Sequence, residues 1–208
     1  DLMESIGQSI SQGKLSAEDR IGILNDAFNL AYSGHHDATV PLSLVQHFSE
    51  ESNYMVWLEL SSRLSEFQSI LWEQDEQVQE GLRAMIRTLC KQQVSKLGFD
   101  FKPNENDVTG LLRVLVVSLA GRNKDEQVVQ ECKKRFENFF AGNESAIHPN
   151  LRGTVFRIAV ENGSLDEFEK VLTIFRTSNI ADQKIQALKA LCATKDQQLQ
   201  LRLFNSIF

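Results

Sequence analysis

The stretch L-S-A-E-D-R-I-G-I-L-N-D-A-F-N-L-A-Y-S-G, residues 15–34, decides the fold class of this chain. It opens with a helix start, because Ser16 can cap a helix and Asp19, three positions later, can reach back to that cap. Apolar residues then recur at helical spacing, namely Ile21, Leu24, Phe28 and Ala31. Gly34 supplies a helix stop. The stretch therefore predicts one amphipathic helix with a defined beginning and end.

The rest of the chain repeats this pattern, with helical stretches separated by Gly, Asn, Ser and Asp and almost no period-two alternation. After a first helix that ends near residue 10, the predicted helices cover 16–33, 39–48, 53–73, 75–97, 107–120, 124–141, 149–163, 164–176, 180–193 and 196 onward. The predicted helix 149–163 begins at Pro149, and the predicted helix 164–176 opens with a Ser164/Glu167 capping box. Thr39 is the predicted cap of the short third helix, and Gly121 the predicted stop of helix 107–120.

These helices predict an all-α fold of about ten helices. Short connections make consecutive helices antiparallel, and the segment 107–120 is nearly apolar throughout, as an inner helix would be. We therefore expect an irregular α-solenoid of antiparallel helix pairs, a HEAT/ARM-like superhelix with degenerate repeats. A compact helical bundle is the competing architecture.

Charge and hydropathy exclude two classes of partner. The net charge is −6, which argues against a general nucleic-acid binder because such proteins need basic stripes for phosphate. The basic run 133–135 lies in a helical pattern beside glutamates, which is typical of a solvated helix face. No apolar run approaches the ~20 residues that a membrane span needs. We expect no nucleic-acid partner and no membrane span.

The cysteines indicate the compartment. Cys90, Cys132 and Cys192 are far apart in the sequence, odd in number and set among apolar residues. This pattern favours reduced, buried thiols over a disulfide framework. It predicts a cytoplasmic protein.

Both ends of the sequence are typical of a truncated domain. Asp1 is not an initiator Met, and the last segment is apolar up to Phe208 without a C-cap or a polar tail. A solenoid needs polar capping repeats. We expect residues 1–208 to form a single helical-repeat domain that is truncated at both ends.

The sequence offers no catalytic or metal-binding motif. The four histidines are His35, His36, His47 and His148, and none belongs to an H-E-x-x-H pair. A zinc site at His35 and His36 would need further ligands, so exposed loop histidines are the simpler interpretation. G-x-S-x-G, G-x-G-x-x-G and P-loop patterns are absent as well. We expect no catalytic residue, no metal ligand and no cofactor in this chain.

Two arginines and one acid stand among apolar residues. Arg113 and Arg152 lie in apolar helical stretches, and Asp26 sits beside Ala27 and Phe28. Buried charges are costly unless they are paired, so a structural ion pair with an internal acid such as Asp26 is one interpretation. The other is that Arg113 and Arg152 contact a substrate, as binders of a peptide carboxylate.

Four segments carry a resemblance to a known family. They are L-S-x-E-D-R-x-x-x-x-N-D-A-F-x-L-A (15–31), V-P-L-S-L-V-Q-H-F-S-E-E-S-N-Y-M-V-W (40–57), K-L-G-F followed by D-V-T-G-L-L-R (96–113), and I-H-P-N-L-R-G-T-V-F-R-I-A-V-E-N-G (147–163). In order and spacing they resemble the C-terminal helical domain of zinc aminopeptidases of the aminopeptidase N and puromycin-sensitive aminopeptidase group. Phe99 stands where that family usually has Trp, and Phe156 where it has Tyr.

The resemblance implies a HEAT-like domain that closes over the catalytic part of a larger peptidase. Such a domain walls the substrate chamber, helps select peptides and packs against the catalytic and N-terminal domains. The zinc ligands of that family lie in earlier domains, so the parent enzyme would hold Zn and this chain would be inactive alone. The alternative from a different class is a stand-alone helical-repeat scaffold that binds another protein.

Overall fold

The computed structural model describes residues 2–207, and over that range it contains helices and no strand. The α-helices are α1 (Leu2–Ser11), α2 (Ala17–Tyr32), α3 (Thr39–Val45), α4 (Tyr54–Ile70), α5 (Glu76–Leu97), α6 (Asp107–Arg122), α7 (Glu126–Phe140), α8 (Arg152–Glu161), α9 (Leu165–Thr177), α10 (Ala181–Leu191) and α11 (Gln197–Ile207). Short 3-10 turns occupy Gln46–Phe48, Glu144–Ala146 and Pro149–Leu151. The predicted all-α fold of about ten helices is confirmed.

Side-chain caps set the helix starts, largely as the sequence predicts. The Ser16 hydroxyl accepts a hydrogen bond from the backbone N–H of Asp19 at 3.0 Å. The Asp19 carboxylate in turn accepts a hydrogen bond from the Ser16 hydroxyl at 2.8 Å, where the prediction had the Ser16 backbone as donor. At α9 the capping box is complete, and the Ser164 backbone N–H donates to Glu167 at 2.6 Å. These caps satisfy N–H groups that have no partner inside the helix.

Two predicted boundaries are wrong. Thr39 is the first residue of α3 and not its cap, because its N–H and its hydroxyl both donate to Asp37 Oδ1, at 2.9 and 2.8 Å. Gly121 is buried inside α6, which continues to Arg122. Asn123 ends that helix instead, since its side-chain amide donates to the Leu119 carbonyl at 2.8 Å.

The helices group into two compact units, Asp1–Asn123 and Lys124–Phe208. In the first unit α2 and α4 lie side by side in parallel. The start of α2 bonds the segment before α4, where Arg20 donates to Glu51 at 2.7 Å. Near their far ends, the Phe28 and Phe67 rings meet edge to face at 6.0 Å. Alternate helices of this unit therefore stack in the same direction, as expected of solenoid-type helix pairs.

Helix α6 continues this stack and is packed against α5. The C-terminal ends of α4 and α6 meet where Gln68 donates to Asn123 at 2.7 Å. α5 runs antiparallel to α6, because Arg87 bonds the Asn123 carbonyl at one end and Arg113 bonds the Leu97 carbonyl at the other. The apolar segment of α6 is largely buried, which confirms it as an inner helix.

A buried polar group ties α2, α4 and α5 together. The Glu51 carboxylate accepts from the Arg20 guanidinium and from the backbone N–H groups of Ser52 and Asn53. The Glu51 carbonyl accepts from the Trp57 indole at 2.9 Å and from Gln93 at 2.6 Å. A buried carboxylate with this many donors is paired and hydrogen-bonded, so its desolvation is offset.

The second unit repeats the layered arrangement. α8 and α10 run in parallel, since Gly153 near the start of α8 lies against Gln186 in the middle of α10, and Glu161 at the end of α8 pairs with Lys195 at 3.1 Å beyond the end of α10. α9 and α10 form an antiparallel pair with a short connection. No helix within residues 2–207 has the length and apolar content to cross a membrane.

Candidate functional site

Arg113, one of the two predicted substrate contacts, is held inside the first unit. It is 1% exposed, and its two terminal nitrogens donate to the Glu105 carboxylate at 2.5 and 2.6 Å. Its Nε donates to the Leu97 carbonyl at 3.1 Å, and its guanidinium stacks 4.5 Å from the centre of the Phe101 ring. This is the geometry of the structural ion pair, and a substrate would have to displace Glu105.

The acid in that pair differs from the one suggested by the sequence. Asp26 is exposed on α2, because its helix turns that position away from the core. Glu105 comes instead from the polar loop between α5 and α6, immediately before the helix that carries Arg113. Nothing in the pattern of that loop distinguishes Glu105 from its polar neighbours, so the pairing is visible only in three dimensions.

Arg152, the other predicted contact, has a different environment. It is half-buried at the first turn of α8, and its Nε is buried without a hydrogen-bond partner. No carboxylate within residues 2–207 lies within ion-pair distance of it. Its guanidinium lies 5.2 Å from the centre of the Phe139 ring, a cation–π distance. The charge is therefore available to an anion from outside.

The residue lines a cleft of about 250 Å³ within the second unit. Side chains from α7, α8, α9 and α10 and from the turn after α7 form its walls. The cleft has an apolar side, a polar side and one cation. Its lining residues are Phe139, Phe140, Glu144, Arg152, Phe156, Ile174, Thr177, Ser178, Gln183 and Gln186.

A cluster of phenylalanines makes the apolar side. Phe156 on α8 meets Phe139 at 5.6 Å and Phe140 at 5.9 Å, measured between ring centres. Phe136, fully buried beneath them, packs against Phe140 at 4.6 Å and edge-to-face against Phe156 at 5.9 Å. Such ring pairs fix one another's orientation, so this side of the cleft is preformed.

Amides and a carboxylate make the polar side. Gln183 accepts from the Ser178 hydroxyl at 2.8 Å, and Gln186 donates to Asp182 at 2.6 Å. These bonds hold both side chains in place. Glu144 contributes an exposed carboxylate at the rim, from the turn that follows α7. A ligand that enters the cleft would meet a cation, amide groups and aromatic rings together.

This arrangement suits binding. A guanidinium can bind a carboxylate through two parallel hydrogen bonds, and the adjacent rings can bury an apolar side chain. Clefts with an apolar lining and a few fixed polar groups are typical of ligand sites. The lining residues include no serine–histidine pair or cysteine that could act as an activated nucleophile.

The histidines are dispersed. His35 and His36 are exposed in the connection after α2, as the simpler interpretation expects. His47 lies in the turn Gln46–Phe48, where its Nδ1 is 3.1 Å from the Ser11 hydroxyl. His148 caps the turn Pro149–Leu151 by accepting from the Asn150 N–H. Within residues 2–207 no three His, Cys, Asp or Glu side chains come together as metal ligands.

One prediction about the cysteines is wrong. Cys90 and Cys132 are buried thiols outside any disulfide, and burial raises the pKa of the Cys132 thiol to about 12. Cys192 is outside any disulfide too, but it is exposed because it lies at the C-terminal end of α10 and not on its inner face. The apolar neighbours of Cys192 in sequence belong to that inner face.

Most of the cleft could not be recognised from the sequence. Arg152 stood out by its charge alone, and Phe136 and Phe140 lie unmarked within the predicted helix 124–141. The adjacent pair Phe139–Phe140 at the end of α7 was a usable signal, since two neighbouring aromatics cannot both point to one core face of a helix. The glutamines of α10 carry no comparable signal.

Comparison with known proteins identifies the family. The model of the ERAP1-like C-terminal domain matches residues 1–208. "Aminopeptidase 2" of Candida albicans is 32% identical over 89% of this chain, "Aminopeptidase 2, mitochondrial" of Saccharomyces cerevisiae 28% over 93%, and human "Aminopeptidase N" 28% over 86%. The chain spans about a fifth of the length of these relatives, between 19% and 20%. This chain belongs to the ERAP1-like C-terminal domain family, whose matched relatives are aminopeptidases.

Proposed function

We propose that this chain is the non-catalytic C-terminal domain of a zinc aminopeptidase, whose helix pairs form HEAT-like repeats that wall the substrate chamber and help select peptides. The parent enzyme would remove N-terminal residues from those peptides. The family match supports the placement in a larger peptidase, and the Arg152 cleft supports the role in selection. The expected partners are the catalytic and N-terminal parts of the same polypeptide and a peptide substrate.

The observation that carries the selection role is the Arg152 guanidinium, which lies beside the ring of Phe139 and has no ion-pair partner within residues 2–207. A peptide has one terminal carboxylate, and a guanidinium beside an apolar surface can bind that carboxylate together with the side chain next to it. Arg113, by contrast, contributes through its internal pair with Glu105. We therefore assign the peptide-carboxylate contact to Arg152.

Zinc belongs to the remainder of the parent in this proposal. Metal-activated water is the nucleophile in hydrolases of this kind, and a catalytic zinc site needs three protein ligands. Within residues 2–207 such a group does not occur. The described residues therefore do not fit the metal. A cytoplasmic location and a single-domain organisation over 1–208 are further parts of the proposal.

The test replaces Arg152 in the parent enzyme. With Arg152→Ala, we expect KM for peptides with a free C-terminal carboxylate to rise about tenfold or more, because a hydrogen bond to a charged group contributes about 1.5–3 kcal/mol. The same peptides with a C-terminal amide, and a single-residue nitroanilide, should change little. The measurement is steady-state kinetics on matched acid and amide peptides.

Arg157→Ala is the matched control. Arg157 lies on the same helix and also has a buried Nε without a hydrogen-bond partner, but it is not among the residues of the cleft. The charge change is identical. If Arg152→Ala raises KM equally for acid and amide peptides, the assignment of Arg152 is wrong. The assignment is also wrong if Arg157→Ala raises KM for acid peptides as much as Arg152→Ala does.

A further inference from the structure

The connection from α4 to α5 carries exposed apolar side chains. We call residues 70–78 the Trp72 corner. Trp72 is 68% exposed, Ile70 at the end of α4 is 56% exposed, and Val78 in the first turn of α5 is 47% exposed. The chain has only one other tryptophan, Trp57, which is fully buried. Exposed apolar residues that cluster together mark interaction surfaces, and tryptophan is enriched among the residues that dominate protein interfaces.

Hydrogen bonds hold this corner in one conformation. The side-chain amide of Gln79 donates to the carbonyls of both Trp72 and Gln74, each at 2.8 Å. The backbone adds bonds from Leu71 to Phe67 and from Gln74 to Leu71, at 3.1 and 3.0 Å. A side chain that is presented on a fixed backbone loses less conformational entropy when it binds. The corner is therefore prepared for a contact.

The acidic side chains of the Trp72 corner and of the start of α5 differ in whether a cation pairs with them. Glu76 and Glu80 are paired with Arg83, and Glu80 is paired with Arg87 as well. Glu73 and Asp75, which flank the corner, are exposed, and within residues 2–207 no cation pairs with either. Glu73 follows Trp72 directly in the sequence and Asp75 lies three residues after it. An exposed indole with two carboxylates this close in sequence is complementary to a lysine or arginine, because a cation binds both aromatic rings and acids.

The length of the relatives points to the occupant. The chain covers about a fifth of each relative, so most of the parent polypeptide lies outside residues 1–208. That remainder is always present at a high effective concentration, since it is covalently attached. A surface elsewhere on the parent can therefore cover the corner without competing in solution.

We propose that the Trp72 corner docks onto another part of the parent polypeptide, on a surface that presents a lysine or arginine to Trp72, Glu73 and Asp75. This inference rests on the proposed function only in assuming that the chain is one part of a longer enzyme. It is independent of the Arg152 cleft, which lies in the other compact unit.

Hydroxyl-radical footprinting of the intact parent enzyme tests the shielding of the indole directly. Oxidation of each tryptophan is read by peptide mass spectrometry in the native and the denatured enzyme. We expect Trp72 to be protected in the native enzyme to the same degree as Trp57. Native oxidation of Trp72 near its rate in the denatured enzyme would overturn the proposal.

Substitutions test the energetics. Trp72→Ala and Glu73→Lys should lower the melting temperature of the parent enzyme, whereas Trp72→Phe should retain most of the contact. Leu165→Ala is the control, because Leu165 is similarly exposed at 54% but lies in the second unit. Equal melting temperatures for the wild-type enzyme and Trp72→Ala would contradict the docking.

Dilution distinguishes the occupant. Protection by the same polypeptide does not depend on protein concentration. Protection of Trp72 that disappears on dilution would assign the surface to a second copy and overturn the proposal. None of these readouts involves peptide selectivity, so a failure here leaves the kinetic test of Arg152 intact, and the reverse also holds.

Discussion

At the scale of single residues, the two arginines show how local partners decide the use of a charge. Both stand in apolar sequence, and the sequence treats them alike. Arg113 has its donors taken by Glu105 and by the Leu97 carbonyl. Arg152 has an aromatic ring and a cleft beside it, and no carboxylate among residues 2–207 pairs with it. The difference arises from residues that are distant from the arginines or inconspicuous in the sequence.

The Arg113–Glu105 pair should be required for stability. Glu105→Gln leaves a guanidinium that is 1% exposed without its counter-charge, and breaking a buried ion pair by removing one partner costs about 3–5 kcal/mol. We expect the free energy of unfolding from urea titration to fall by that order. Lys170→Ala, which removes an exposed pair with Asp166, is the control and should cost at most ~0.5 kcal/mol. Similar losses in the two variants would show that Arg113 is not held by Glu105.

Glu80 should make stability sensitive to acid. Hydrogen bonds from Arg83 and then Arg87 lower the pKa of its carboxyl from 4.5 to about 2. A carboxyl with a lowered pKa in the folded state stabilises the protein above the unfolded pKa and loses that contribution as pH falls through the folded pKa. The loss attributable to Glu80 should therefore occur between about pH 4.5 and pH 2.

The check is a comparison of urea midpoints across that pH interval. Glu80→Gln should show a shallower decline than the wild-type chain, because the group that takes up the proton is gone. Glu73→Gln, which removes an exposed carboxylate without an ion pair in the described chain, should keep the wild-type slope. An identical slope in Glu80→Gln would mean that the Arg83 and Arg87 bonds do not persist in solution.

At the scale of helices, the sequence predicted what local chemistry controls. Ser16 and Ser164 cap their helices as expected, because each cap bonds N–H groups within three residues of itself. Asn53 caps α4 through the same kind of local bond. The predictions for Thr39 and Gly121 were wrong because other contacts compete with the local signal at these positions. Asp37 competes for the Thr39 donors, and the packing of α6 keeps Gly121 helical although glycine often ends helices. Local signals are decisive only where no outside contact competes with them.

The docking of α1 depends on a glycine. α1 packs beside the turn Gln46–Phe48, and a Cβ at Gly7 would lie 2.8 Å from Cγ of His47 and closer still to its Cδ2 and Nε2. Gly7→Ala should therefore push α1 away, with a cost of about 1–3 kcal/mol from overpacking. Hydrogen exchange over residues 2–11 should become faster.

Gly22→Ala is the matched control for that substitution. Gly22 lies within α2 and has open space where a Cβ would be placed. Alanine there should stabilise the helix by about 0.5–1 kcal/mol. If both variants are stabilised, Gly7 is not in close contact with His47 in solution.

At the scale of the whole molecule, the sequence predicted the class of fold and the family but not the cleft. Helical periodicity and caps are repeated along the chain, so eleven helices within residues 2–207 were foreseeable. The cleft combines α7, α8, α9 and α10, and its rings and amides come together only after those helices pack. Arg152 was recognisable because an unpaired charge in apolar sequence is unusual. Phe139 and Gln186 look ordinary until their neighbours are known.

Removal of metal from the parent enzyme should distinguish a zinc site elsewhere in the polypeptide from one in this chain. If zinc is held outside this chain, a chelator should abolish peptidase activity while leaving hydrogen exchange in the buried helices α4, α6 and α8 unchanged. A structural metal would behave differently, because its binding free energy is part of the folding free energy and its removal unfolds the domain. Hydrogen exchange of the parent with and without chelator measures this, and re-addition of Zn²⁺ should restore activity alone. Faster hydrogen exchange in α6 after chelation, reversed by zinc, would place a metal ligand within this chain. It would contradict the proposal that the zinc is held elsewhere in the parent enzyme.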